Sequence, residues 1–390
     1  MISDTLIGEK ILKVKNMLDT FTREFIQSET RLPETDAEAK NVVAVVSCGI
    51  FSPNLKSGAP GFDETLFEDT YRPAPAPAVR RYEQLVSKEE LQAASGLSYR
   101  EAKKMDRFSL LAMAACRTAL DAAGLSEEDF RNCGIITGNM VGGWSFTEPQ
   151  LRALHAFGLS AVSPYLASAW FPAAPQGQVT IHLGLKGFAK TITTDRGAGA
   201  QAIEMAVERL RNSRRKEFLL AGGVEAPITP FVEAALAQAG VATETVVEGA
   251  GYLLLTSMPA AEAAGETKLG EYLTFPLQYR KGFPSVQISN AILTMMERGK
   301  NLPFPEAVIC NTAACGWIEA ETTALLKMML GDQMPPLLFP TRIVGDSLAA
   351  SAPIAIGIGY ELLRRESKNY RSVLALTLGH QGGHLVWMHR

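Results

Sequence analysis

The sequence predicts a layered α/β fold made of two similar halves. Short Val-, Ile- and Ala-rich runs alternate with helical patterns between residues 41 and 257. A strand-to-helix turn built of Gly and Ala stands at 193–200, Thr-Thr-Asp-Arg-Gly-Ala-Gly-Ala. After a small-residue join at 260–266, the alternation of strands and helices starts again. The expected parts are an N-terminal helical extension over 1–38, a first βα half over 39–258 and a second over 266–390.

In the extension, Ile7, Ile11, Val14, Leu18, Phe21 and Phe25 recur three and four apart, the spacing of a one-sided helical stripe. Such a stripe packs on its own domain or on a partner chain. The polar stretch 30–40, with Pro33, reads as a linker. Residues 41–50 are a near-continuous Val/Ala run, the pattern of a strand covered on both faces. The Gly/Pro-rich stretch 53–78 reads as a surface excursion. Helices are expected over 88–96 and 99–124, the second Ala-rich and buried. A strand over 134–137 leads into Gly138-Asn-Met-Val-Gly-Gly143, which lacks the spacing of a P-loop or a dinucleotide fingerprint. Apolar stretches at 180–185 and 188–194 precede the Gly/Ala turn, and strands follow at 218–225 and 249–255. In the second half, helices are expected over 285–298, 318–330 and 347–363, and strands over 307–311, 372–378 and 385–388.

The turn at 193–200 has the form that many α/β enzymes use to carry a nucleophile. Small residues let the backbone turn sharply, and the helix N-terminus behind it favours negative charge. The residue at the apex is Arg196 rather than Cys or Ser. Composition narrows the remaining classes. The chain has 390 residues, 47% hydrophobic and 20% charged, and a net charge of −3, so it has core enough for a large fold and no basic excess for nucleic acid. No apolar run reaches membrane-spanning length and no signal-peptide pattern opens the chain, so a cytoplasmic protein is expected, without nucleic-acid or membrane partners. The cysteines, Cys48, Cys116, Cys133, Cys310 and Cys315, have no metal-ligand spacing, and no metal site is expected.

Several stretches together resemble the β-ketoacyl synthases, the condensing enzymes of the thiolase fold, over roughly residues 40–390. They are Gly-Ile-Ile-Thr-Gly-Asn-Met-Val-Gly-Gly at 134–143, Gly-Leu-Lys-Gly at 184–187 and Ala-Gly-Gly-Val-Glu-Ala-Pro-Ile-Thr-Pro at 221–230. Glu-Gly-Ala-Gly at 248–251, Ile-Glu-Ala at 318–320 and the closing Gly382-Gly383 complete the set. The resemblance implies a layered αβαβα arrangement of two similar halves. It also implies a Cys nucleophile and two His, the Cys to carry the acyl chain and the His to stabilise the enolate and oxyanion.

Carried onto this chain, those positions have changed. The Cys position is Arg196. The first His would open the stretch that here begins at Asn311. The second His falls at Asp346, and the Lys of its motif at Thr341. The aromatic gate of the terminal glycine loop is replaced by His380 and Gln381, ahead of Gly382 and Gly383. The resemblance is therefore to the non-catalytic branch of the family, the chain length factors of type II polyketide synthases, many of which carry Gln at the Cys position. It implies a silent subunit that pairs with an active ketosynthase and shapes the polyketide tunnel. No cofactor would be bound directly; the complex would use the phosphopantetheine arm of an acyl carrier protein. Residues matching the family's dimer contact are Trp144, Phe146, Phe157, Phe171, Phe188 and Thr193. The basic cluster Arg211, Arg214, Arg215 and Lys216, with Arg209, is either a solvated helix end or a docking patch for the carrier protein.

Two other readings stand beside this one: a condensing or acyl-transfer enzyme that uses other residues, such as Cys315 or His380, and a pure scaffold of a synthase complex. If Arg196, Asn311 and Asp346 converge, two arrangements are open. Arg196 and Asp346 form a buried pair, with Asn311 taking a further donor, or Arg196 turns to solvent and Asp346 caps the helix that follows.

Overall fold

The computed structural model describes residues 42–56, 85–241, 243–259, 262–277, 283–312, 316–364, 370–379 and 382–390. The expected N-terminal helix, Cys315, His380 and Gln381 lie outside them.

Ten strands form one sheet: β1 (Val42–Phe51), β2 (Gly134–Asn139), β3 (Ala189–Thr193), β4 (Phe218–Glu225), β5 (Gly249–Met258), β6 (Thr267–Pro276), β7 (Ala307–Asn311), β8 (Leu337–Leu338), β9 (Ser372–Leu378) and β10 (Gly382–His389). Their spatial order is β3-β2-β4-β5-β1-β6-β10-β9-β7-β8. Reading outward from the centre, each half places its own first, fifth, fourth, second and third strand. The directions agree as well. In both halves the first strand is antiparallel to the fifth and the fifth to the fourth, while the second is parallel to both its neighbours. The duplication is thus plain in the topology. The halves meet along β1 and β6, which share a short antiparallel register from Val43↔Leu269 to Val45↔Thr267.

The longer helices are α1 (Lys88–Ser95), α2 (Arg107–Ala123), α3 (Trp144–Phe157), α4 (Ala174–Leu183), α5 (Ala198–Arg211), α6 (Pro230–Gln238), α7 (Phe283–Arg298), α8 (Gly316–Leu330) and α9 (Ser351–Arg364). Ile203 and Val207 of α5 and Ile354 and Ile358 of α9 share one core with Ile136 and Leu219 of the first half and Ile309 and Val373 of the second. The sheet therefore doubles over these two helices. A second core joins α2 to the far face of the first half through Leu111, Cys116, Ile135 and Leu254. A third joins α7 and α8 to the far face of the second half through Met295, Leu326, Val308 and Trp387. The result is the expected five-layer αβαβα order.

Local chemistry sets the boundaries. The single helix expected over 99–124 is two pieces. A helical turn, Tyr99–Ala102, is opened by a Ser98/Glu101 capping box and ends at Lys103, and α2 starts afresh where Asp106 accepts the Phe108 amide at 2.9 Å. Of the two apolar stretches before the Gly/Ala turn, 188–194 supplies β3, whereas 180–185 closes α4 at Gly184, which has φ 69°. The helix expected over 347–363 begins at Ser351, after a tight turn at Leu348–Ala350. The sequence reading missed β6 because its alternation is broken. Gly270 leaves a gap on one face, and the pairing with β10 shifts register between Trp387 and Met388.

Two buried carboxyl groups hold the segment after β2. Glu225, at the end of β4, accepts the amides of Met140 and Val141, and Asp106 accepts the Phe146 amide at 2.6 Å. Burial pushes Glu225 up to about 8 and Asp106 up to about 7. A raised carboxyl pKa in the fold means stability is full below the unfolded value and is lost as pH rises through the folded one. Unfolding of the protein between pH 5 and pH 9 should show stability falling across that window. Glu225→Gln should flatten much of the fall; an unchanged slope would show that Glu225 titrates outside it.

Candidate functional site

The turn from β3 into α5 depends on close approach. A Cβ on Gly199 would lie 2.1 Å from the Ala349 carbonyl oxygen, so the first turn of α5 sits directly on the turn before α9. That contact brings Arg196 to Asp346. Asp346 is fixed by its backbone: its amide donates to the Thr245 carbonyl at 2.8 Å, and its carbonyl accepts from Val247 at 3.0 Å. Its side chain serves two groups. Oδ1 accepts the Leu348 amide at 3.0 Å and the Ser351 hydroxyl at 3.3 Å, while Oδ2 pairs with Nη2 of Arg196. Arg196 is 5% exposed and Asp346 1% exposed.

The buried pair of the first arrangement is formed and Arg196 does not turn to solvent, while Asp346 keeps the capping role of the second. Leu348, just after it, has φ 48°, the one positive-φ residue other than Gly among the described residues. The Asp346–Leu348 bond helps to hold it there. A guanidinium at a helix N-terminus faces the positive end of the dipole and loses its hydration, and the Asp346 carboxylate offsets both.

Asn311 and Thr341 are also buried, at 2% and 5% exposure. Asn311 Oδ1, Thr312 Oγ1 and Thr341 Oγ1 have no hydrogen-bond partner among the described residues. The expected use of Asn311 as acceptor for a further Arg196 donor is thus not seen. Cys310 is buried in β7, and burial pushes its thiol pKa up, which disfavours the thiolate.

Beside the pair opens a cleft of about 640 Å³, lined by Met140, Thr194, Asp195, Gln201, Phe275 and His384, among others. Asp195 Oδ1 accepts the Gly197 amide at 2.8 Å. His384 lies opposite Thr274 across the β10–β6 register, with Nδ1 3.1 Å from Thr274 Oγ1. Thr274 Oγ1 is in turn 2.8 Å from each Glu204 carboxylate oxygen. A Cβ on Gly197 would lie 2.8 Å from His384 Nε2 and 3.1 Å from Asp195 Oδ1, so glycine is required there and the two side chains share one wall. Sequence reasoning placed His384 only on the terminal loop and missed Thr274 and Glu204 as its neighbours. Thr274 belongs to the strand whose alternation is broken.

The candidate contact residues of the first half divide between partly buried and exposed positions. Trp144 stacks on Phe231 at 4.3 Å between ring centroids. Phe157 and Phe171 are exposed, as are Leu159, Trp170 and Ile181, and the Phe146 amide is held by Asp106. Phe188 is partly exposed beneath the Arg209 guanidinium, and Thr193 is exposed on β3. Among the described residues β3 pairs with β2 alone, at the end of the sheet. The basic cluster divides. Arg211 donates to the Gly270 carbonyl at 2.6 Å, Arg209 pairs with Glu217 at 2.9 Å, and Lys216 lies over the Phe218 ring. Arg214 and Arg215 line a shallow groove beside Phe188. Gly382 and Gly383 open β10, and a Cβ on Gly383 would strike the Phe275 ring. Among the described residues, no group of three or more His, Cys, Asp or Glu could hold a metal ion, and no helix is long and apolar enough to cross a membrane.

Residues 40–251 match the β-ketoacyl synthase N-terminal domain. The chain belongs to the β-ketoacyl synthase family. Similar relatives include nodulation protein E of Rhizobium leguminosarum bv. trifolii, 31% identical over 58% of this chain and 62% of that protein. A putative polyketide β-ketoacyl synthase 2 of Streptomyces halstedii is 37% identical over 55% of this chain and 43% of that protein. The tetracenomycin polyketide synthase ketoacyl synthase beta subunit of Streptomyces glaucescens is 31% identical over 45% of this chain and 43% of that subunit. The matches thus span about half the length of these relatives.

Solved structures share the ketosynthase fold. One is the ishigamide ketosynthase/chain length factor, with TM-score 0.71 and 19% identity over 90% of this chain and 99% of that one. Another is a type II polyketide synthase acyl-carrier protein in complex with its ketosynthase, AntDE:AntF, with TM-score 0.72 and 21% identity over the same shares. Ketosynthase folds of this kind are the thiolase-like fold expected from the sequence.

The buried pair yields a direct test. Arg196→Met should cost the protein about 3–5 kcal/mol, because it leaves Asp346 buried without its cation. Asp346→Asn keeps an acceptor for the Leu348 amide, so the double variant Arg196→Met/Asp346→Asn should recover most of the loss in chemical denaturation. Costs that are small and simply add would show that the pair contributes no coupling.

Proposed function

We propose that this chain is a silent, chain-length-factor-like subunit of a type II polyketide synthase. It pairs with an active ketosynthase and shapes the tunnel for the growing chain. The single observation that carries the reading is the buried Arg196–Asp346 pair at the turn where the family places its nucleophile. A guanidinium cannot accept an acyl group, and its positive charge is spent on Asp346. With Asn311 and Asp346 at the two His positions, no imidazole stands there to stabilise an enolate or oxyanion. A relative in Streptomyces glaucescens named as a polyketide synthase ketoacyl synthase beta subunit favours the same role.

The partner is an active ketosynthase. The position of β3 at the end of the sheet, Thr193 on it, and exposed Phe157, Phe171 and Phe188 supply an apolar face suited to burial against such a subunit. The acyl carrier protein serves the complex through its phosphopantetheine arm, and this chain binds no cofactor itself. Arg214 and Arg215 are a weak candidate for carrier docking, since Arg209, Arg211 and Lys216 are engaged within the chain.

Mass spectrometry of the chain, incubated with acyl and malonyl carrier protein, should find no stable acyl adduct and no decarboxylation. Arg196→Cys alone should not restore condensation, because both imidazoles are still missing. A covalent acyl adduct on this chain would overturn the reading. In the reconstituted complex, Phe157→Ala or Trp144→Ala should change product length while condensation continues; unchanged length in both would favour a scaffold.

A further inference from the structure

Residues 140–146 run from the end of β2 into the first turn of α3, and a buried carboxyl group holds each end. At one end, Glu225 of β4 accepts the Met140 amide through Oε1 and the Val141 amide, at 3.3 Å, through Oε2. At the other, Asp106 Oδ2 accepts the Phe146 amide at 2.6 Å, while Oδ1 caps α2 through the Phe108 amide. Between them the Gly143 amide donates to the Trp170 carbonyl at 3.1 Å. The segment serves two places at once. Met140 lines the cleft beside the ion pair, and Trp144 stacks on Phe231 of α6.

Both carboxyl groups lie where a charge is costly. Glu225 is 0% exposed and Asp106 1% exposed, and their bonds come from amides and a hydroxyl. The Arg107 guanidinium, next to Asp106, draws on it from a distance but is bonded to Glu248 and to the Val86 carbonyl. From β5, Tyr252 faces Glu225, with its hydroxyl 3.1 Å from Thr137 Oγ1 of β2, and Cys116 of α2 lies near Tyr252. Burial raises the pKa of both, so neither ionises around neutral pH. On α3, Glu148 pairs with Arg152. A carboxyl group in such surroundings holds its proton more tightly than one in water, in line with values near 8 for Glu225 and 7 for Asp106.

We propose that residues 140–146 form a proton-coupled latch, which closes over Glu225 and Asp106 as they take up protons and opens locally, with the strands intact, as they release them to water. In the open segment water solvates each carboxyl group and returns it to its ordinary range. Between the open and closed values each opening therefore releases protons, and the open form gains as pH rises towards 8. The Met140 wall of the cleft and the Trp144–Phe231 stack then loosen together.

The test is residue-resolved amide hydrogen exchange of the full chain between about pH 6 and about pH 8, read as protection relative to the unstructured peptide rate at each pH. That ratio removes the intrinsic pH dependence of exchange. The Met140, Val141 and Phe146 amides should be less protected than the Leu220 and Leu253 amides of β4 and β5, the mark of a local opening. Their protection should fall at least about tenfold from pH 6 to pH 7, the effect of one proton released per opening. Glu225→Gln should remove about tenfold per pH unit of that fall at Met140 and Val141. Equal protection of the three amides and the strand amides would make the opening global and overturn the proposal. A local opening whose protection does not change with pH would overturn it as well, and so would an unchanged fall in Glu225→Gln. The series on the unmodified chain needs no variant, so the test holds even if the substituted chain fails to fold.

Discussion

The pairing of Arg196 with Asp346 is the constraint around which the centre of the molecule is arranged. An arginine at the N-terminus of a buried helix is unfavourable by itself, since it loses water and faces a positive dipole. It is tolerable only with a carboxylate fixed in place beforehand. The fold provides that. Asp346 is bridged through its backbone to Thr245 and Val247 of the first half, and its Oδ1 is committed to Leu348 and Ser351 of the second. The pair therefore ties the helix after β3 to the turn before α9, across the junction of the two halves. In this chain that junction is occupied by the buried Arg196–Asp346 pair.

Around the pair, close backbone approaches and buried carboxyl groups fix the packing. The glycines bring α5 down onto Ala349, and Glu225 holds the loop after β2 by two amides. The buried oxygens of Asn311, Thr312 and Thr341 mark a polar region at this junction. The open space lies next to it, in the cleft of Asp195 and His384, while Phe157 of α3 and Thr193 of β3 are exposed. The filled centre, the cleft beside it and the position of β3 at the end of the sheet are the features on which the proposed role as a partner subunit rests.

Much of this was legible in the sequence. The Gly/Ala turn, the run into β3 and the changed residues at 196, 311 and 346 stood at readable separations, and the duplicated fold followed from the renewed alternation after 266. The shared strand order of the halves was not legible, because pairing partners are set by tertiary contact and the halves have no evident sequence repeat. β6 escaped because the bulge at Gly270, which the register with β10 skips between Glu271 and Leu269, breaks its period of two. The break in the expected 99–124 helix turned on Asp106, whose capping role depends on a carboxyl group that also reaches Phe146 forty residues away. The relay of His384, Thr274 and Glu204 joins three separate elements, and no local pattern announces it. The dual use of Asp346 could be posed from sequence only as two alternatives; the two carboxylate oxygens allow pairing and capping together.

The central claim is that Arg196 is held inside the protein by Asp346. The most direct measurement is nitrogen NMR of arginine side chains in the protein labelled at Arg, with Arg196→Met to assign the signal. A buried paired guanidinium should give separate, slowly exchanging Nη–H signals that disappear in the variant and shift in Asp346→Asn. A single averaged, rapidly exchanging Arg196 signal, indifferent to Asp346, would place the side chain in solvent and contradict the account.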